Sequence, residues 1–210
     1  MSHDDFAVEP IRGLPEVPPM GEVILWQGQP NWFALARDAL NVTWVAIYFV
    51  GFAIWRALVA GADLPLWEAV RAGSPFLILG AVACGILMLI AYVQAKSTVY
   101  TITNRRVAMR IGAALTITLN LPYRWVGAAR LDARKNGTGT IALELLGDTR
   151  LSYINTWPHV RPLHFGTTQP ALRCIPDAAK VAGILAEAAE TRISEPVVSR
   201  VAMSEVVAAE

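Results

Sequence analysis

Three histidines, His3, His159 and His164, are the only imidazoles in the chain, and the last two follow Pro158 in a proline-broken stretch. Imidazole can ligate zinc, but a zinc site needs about four converging ligands. No cysteine or carboxylate pair accompanies these histidines, so no metal site is read, and packing or surface roles are the ordinary reading. Gly137 and Gly139 fall in a hairpin turn, not in a phosphate loop, and no Ser-His-Asp arrangement stands out. No catalytic residues are expected.

Cations are the side chains left with chemistry to offer. Net charge is −4 over residues 1–38, 0 over 39–93, +7 over 94–165 and −2 over 166–210, which makes the total of +1. The positive stretch carries Arg105, Arg106, Arg110, Arg124, Arg130, Arg134 and Lys135. Near an anionic leaflet each such cation is favoured by about 1 kcal/mol. Anionic lipid or an acidic protein would suit them, and a solvated basic face accounts for the same charge with no partner. Nucleic acid fits poorly, because no stacking aromatics interleave the arginines and the total charge is near zero.

The elements that must position these cations are two apolar runs, 39–62 and 75–93, joined by a loop over 63–74 that would lie outside. Pro75 to Val93 is 19 residues without a charge. About 20 apolar residues in a helix cross the ~30 Å hydrocarbon layer. The first run carries one charge, Arg56, near its end, where the side chain can snorkel. Buried helices of a soluble domain would show a polar face at period 3.6, and neither run does. Ala53, Ala57 and Gly61 share one helical face, and Gly80, Ala81, Cys84 and Gly85 are small residues of the second run. Small residues at that spacing suit close packing of the two helices or of other membrane proteins against them. No Asp, Glu, His or Lys lies in either span, which counts against a channel, transporter or proton relay. Arg37 precedes the first span, and Lys96, Arg105, Arg106 and Arg110 follow the second, so both termini are expected in the cytoplasm. Cys84 and Cys174 cannot be expected to pair, which suits a reducing compartment.

Residues 1–38 form a leader, acidic and proline-rich at first, without the basic start and apolar core of a signal peptide. Residues 1–21 are expected to be mobile or draped on the surface, and Glu22 to Pro30 reads as a short strand. From 94 to 195 the pattern turns to alternating apolar and polar positions. Strands are expected over 98–103, 106–111, 114–121, 125–131, 140–146 and 150–154, with a tight hairpin at Asn136-Gly137. A helix follows from Pro176-Asp177 to about Thr191, and Pro196 opens a loose tail to 210. The fold class is therefore membrane α + β: a two-helix transmembrane hairpin, then a small antiparallel β barrel or sandwich closed by a C-terminal helix.

The stretch Val99-Tyr-Thr-Ile-Thr-Asn-Arg-Arg-Val-Ala-Met-Arg-Ile-Gly112, ahead of a C-terminal amphipathic helix, resembles the bacterial PH-like membrane domain. Gly21-Glu22 to Trp26, Gly28 and Pro30 is similar to that family's lead-in. Over residues 20 to 193 the chain further resembles the PH-like photosynthetic complex assembly proteins of purple bacteria, those encoded near the reaction-centre H subunit. The features are Gly-Glu-x-x-Leu-Trp-Gln-Gly-x-Pro, Thr118-Leu-Asn-Leu-Pro-Tyr123 and Ala171-Leu-Arg-Cys-Ile-Pro-Asp. This resemblance implies a non-catalytic factor of the bacterial inner membrane, intracytoplasmic photosynthetic membrane included. Its partners would be reaction-centre and light-harvesting 1 subunits, with a homodimer as one assembly state. It implies no enzyme activity; no cofactor is expected, and the one contact the histidines leave open is an imidazole on the magnesium of a bacteriochlorophyll. A lipid-binding envelope protein is the alternative.

Overall fold

The computed structural model describes residues 11–113, 116–147, 151–164 and 166–194. The expectations for His3, for the first ten residues and for the 196–210 tail fall outside these.

After strand β1 (Ile24–Gly28), helix α1 (Trp32–Asp38) starts where the Asn31 side chain accepts from the backbone N–H groups of Phe33 and Ala34. That cap satisfies two donors the first turn leaves open. Asn41, at φ 54, then turns the chain into α2 (Val42–Ala60), which pairs with α3 (Leu66–Ser97) as a hairpin. Both helices are long and apolar enough to cross a membrane. Their most apolar windows are only 6 % and 11 % buried, whereas the core helix of a soluble domain would be covered.

α3 begins earlier than expected. Leu66–Ser74 is helical, so the connection read over 63–74 shrinks to a few residues. The second run is counted from Pro75 because the charge-free apolar stretch starts there; within a helix, Pro75 cannot donate to the carbonyl four residues back. Here the Ser74 hydroxyl donates to the Arg71 carbonyl at 2.9 Å and the helix continues.

β2 (Val99–Thr103) starts one residue after α3 ends. With β3 (Arg106–Ile111) and β4 (Ile117–Pro122) it forms an antiparallel sheet in the order β1-β2-β3-β4. β5 (Val126–Ala133), β6 (Thr138–Leu145) and β7 (Ala171–Pro176) form a second antiparallel sheet. Among the described residues no ladder joins the two sheets, so the domain is a sandwich, not a closed barrel. The core between them holds Tyr100, Ile102, Met109, Ile141, Leu143 and Leu172, closed by Val181 and Leu185 of α5 (Ala178–Ser194). At the β5–β6 hairpin Gly137 takes φ 79, a conformation cheap only for glycine.

Two expectations change. The strand read over 150–154 is instead a helical turn, α4 (Tyr153–Thr156), closed by the Thr156 hydroxyl on the Ser152 carbonyl at 2.7 Å; residue 150 lies outside the described residues. β7 takes the place of the sixth strand. The leader drapes over the domain from residue 11 onward: Leu14 is buried, and Gly13, at φ 87, lies so close to Val99 that a Cβ could not fit.

Candidate docking surface and the junction beneath it

The cations named in the sequence do not form one face. β2 leaves α3 directly and its register with β3 places Val99 opposite Arg110, so Arg110 sits at the end of the sheet near the hairpin. Arg106 sits at the other end of β3, about 13 Å away at ~3.3 Å per strand residue, with Arg105 just beyond it in the turn. Arg106 pairs with Pro122 across β3–β4, which brings Arg124 to that far end as well. Arg130 lies midway on β5, paired with Glu144 at 3.3 Å and exposed. Arg134 and Lys135 sit at the β5–β6 turn, where Arg134 pairs with Asp38 at the end of α1.

Their roles differ too. Arg106 donates to Glu22 at 2.8 Å, and that carboxylate is only 3 % exposed. Arg106 is therefore a structural partner for a buried charge. Arg105 and Arg124 are exposed, and among the described residues neither faces a carboxylate. Arg105 reaches only the Met20 carbonyl at 3.4 Å, and Arg124 lies over the Trp125 ring at 5.8 Å. At this far end, these two are the cations with capacity left for a partner; Lys135, at the β5–β6 turn, is likewise exposed and faces no carboxylate among the described residues.

Of the small residues read for helix packing, Ala53 and Ala57 lie on the seam, and Gly61 lies close to Ala69 across the hairpin's closed end. A Cβ on Gly80 would fall 2.6 Å from that of Phe49, so the helix pairing requires glycine there. Gly73, not singled out in the sequence, plays the same part against the Ala53 carbonyl at 2.5 Å. The Cys84 thiol points to the Val42 carbonyl at 3.9 Å. Ala81 and Gly85 are exposed and do not serve this pairing; a Cβ on Gly85 would meet nothing.

Near the hairpin, the junction is built from neutral groups and one buried cation. The Thr98 hydroxyl donates to the Gln94 carbonyl at 2.7 Å, so it must accept from His159 Nε2 at 3.1 Å. His159 Nδ1 is then the acceptor for the Tyr100 hydroxyl at 2.6 Å, and that hydroxyl accepts the Arg173 backbone N–H at 3.3 Å. Every group in this series has a partner, and the tautomer follows from it. Burial, aided by the nearby Arg173 charge, lowers the His159 pKa to about 3, and burial pushes the Tyr100 hydroxyl up. His159 is thus a packing histidine, and both ring nitrogens are already engaged; a pigment's magnesium would have to displace one of these bonds. His164 Nδ1 lies at 2.9 Å from the Pro162 carbonyl.

Arg173 is 5 % exposed and donates to the Pro158 carbonyl at 3.2 Å and the Asp38 carbonyl at 2.9 Å. A bulge in β7, with Cys174 at φ 53, turns this stretch toward α1, where the Cys174 carbonyl accepts the Asn31 N–H at 2.8 Å. Burial raises the Cys174 thiol pKa. Arg173 and Tyr100 went unread as junction residues because nothing local in either stretch announces a contact between strands so far apart in sequence. Among the described residues, no group of three or more His, Cys, Asp or Glu could hold a metal.

A model of the bacterial PH domain family matches residues 39–189. The chain belongs to the bacterial PH domain family. This bacterial PH domain protein is also 44 % identical, over 202 residues, to an uncharacterized 23.7 kDa protein in the puhA 5′ region of Rhodobacter capsulatus, covering 93 % of this chain and 92 % of that one. Among solved structures it is similar to a DUF1696-family protein with a pleckstrin-homology domain from Shewanella loihica PV-4. That likeness has a TM-score of 0.30 at 11 % identity over 44 % of this chain and 71 % of the other, too low to carry an argument.

Proposed function

We propose that this bacterial PH domain protein is a non-catalytic assembly factor for the photosynthetic reaction centre and light-harvesting 1 complex. In this reading it resides in the bacterial inner membrane with both termini in the cytoplasm. The hairpin packs against client helices, while the far end of the sandwich holds their acidic cytoplasmic segments. The relative encoded in a photosynthesis gene region supports the client class. The observation that carries the docking role is the pair Arg105 and Arg124, exposed at one end of the sheet and facing no carboxylate among the described residues.

A mild-detergent pull-down of the tagged full-length protein from photosynthetically grown cells tests this. Reaction-centre or light-harvesting subunits should co-purify with the wild type and be depleted with R105E/R124E. Equal recovery from both would remove the docking role. A lipid-binding envelope role is the second reading, favoured by exposed Lys135 beside the α1 end of the hairpin. Anionic lipid in the eluate, without client subunits above a mock-tag control, would select it.

A further inference from the structure

We propose that the protein makes a second, shallow contact with the bilayer beside its hairpin. Trp32 and Phe33 of α1, with Ile154, Trp157 and Leu163 of the segment after β6, sit in the headgroup layer of the leaflet facing the β domain. The inference rests on the reading that α2 and α3 cross that bilayer.

Tyr92 and Lys96 mark the level at which α3 leaves the hydrocarbon, an aromatic followed by a lysine whose ammonium lies 5.8 Å from the Tyr92 ring. Trp32 meets Tyr92 edge-on at 6.1 Å, and Phe33 meets Trp32 at 5.8 Å. The opposite side of α1, Ala34 to Ala36, is buried, whereas Phe33 is 53 % exposed. α1 therefore lies against the protein at this level and shows two aromatics outward.

The segment after β6 is held to the same level. His159 is bonded to Thr98, one residue past the end of α3. On either side of that anchor, Ile154 is 84 % exposed and Leu163 80 % exposed. Leu163 also takes φ 62, a backbone conformation a leucine rarely adopts, while it stays 80 % exposed. Apolar side chains displayed from two separate segments beside a span are favourable in the headgroup and upper acyl region and unfavourable in water. The charge agrees: residues 151–164 contain no Asp or Glu, and Asp38 of α1 is held by Arg37 and Arg134. No free carboxylate would repel an anionic surface there.

Single cysteines in the full-length protein, reconstituted in nanodiscs of equal parts phosphatidylcholine and phosphatidylglycerol, test the contact. Each is labelled with the environment-sensitive fluorophore NBD, with the unsubstituted protein giving the background from Cys84 and Cys174. F33C, I154C and L163C should give blue-shifted emission that is lost when the lipid carries a nitroxide near the top of its acyl chain. R105C, at the far end of β2, should keep its emission. I86C, midway along α3, should lose it only to a nitroxide deep in the chain. Quenching of I86C with unquenched, water-like emission at 154 and 163 would overturn the shallow contact and leave the spanning hairpin intact. Blue-shifted emission at 154 and 163 that nitroxide lipid does not quench would also overturn it, by showing another protein surface there. An unquenched I86C would overturn both readings.

Discussion

The two ends of the four-stranded sheet solve different problems. At the end beside α3, Thr98, Tyr100, His159 and Arg173 are all buried and bonded to one another or to backbone. The buried charge there, Arg173, donates to the Pro158 and Asp38 carbonyls. At the far end, Arg105 and Arg124 are exposed, and the nearly buried carboxylate of Glu22 is met by Arg106. The lesson is that basic residues contiguous in a sequence need not share a task. One end fixes the domain to the long apolar helices, and the other keeps Arg105 and Arg124 available.

Tyr100→Phe should break the comparison most severely. It keeps the ring in the core but leaves His159 Nδ1 and the Arg173 N–H without partners, a loss of about 3 kcal/mol by denaturant titration. A loss below about 0.5 kcal/mol would mean that the junction is not held by this series. Arg106→Ala should cost about 2 kcal/mol, because it strands the nearly buried Glu22 carboxylate. A result indistinguishable from that of Arg105→Ala would return Arg106 to the solvated cations.

Proton linkage sharpens the junction side. In the unfolded chain His159 binds a proton below its ordinary pKa of 6.5, while the folded chain refuses it down to about 3. Stability from this group is therefore complete above pH 6.5 and falls as pH drops toward 3. Between those limits the wild type should lose stability faster than His159→Gln by about 1.4 kcal/mol per pH unit. Thermal melts of the two proteins across pH 4 to 7 compare the slopes, and parallel slopes would refute the buried neutral imidazole. The smallest effect is expected from Arg105→Ala and Arg124→Ala, each changing stability by less than about 0.5 kcal/mol. A larger change would place them among the structural residues.

Much of the fold could be read from local pattern. The hairpin followed from charge-free length, and β2 and β3 from alternation around the Asn104-Arg105 turn. β7 escaped because five of its six residues are buried, so no alternation marks it. The helical start of α3 escaped because Glu68 and Arg71 put residues 66–74 outside the charge-free apolar run, although the helix runs on through Pro75 with the Ser74 hydroxyl on the Arg71 carbonyl. The site was less legible still. Seven cations are visible in the sequence, but only strand register separates those near the hairpin from those remote from it, and only burial reveals that Arg106 has a carboxylate to neutralise. His159 became readable once its partners, Thr98 and Tyr100, were brought to it from about sixty residues away.

Ser97 ends a transmembrane-length helix and Val99 begins a strand, with Thr98 alone between them. A domain on a loose tether would sweep a wide volume and greet partners at any height. With a one-residue joint braced by His159, this one works as a fixed standoff. The distance of the Arg105 turn from the joint is set by β2, roughly 16 Å for its 5 residues at ~3.3 Å each, and the arginine side chain extends beyond that. In the proposed docking role a partner would present its acidic groups near that height, and selection would run by elevation as well as by charge.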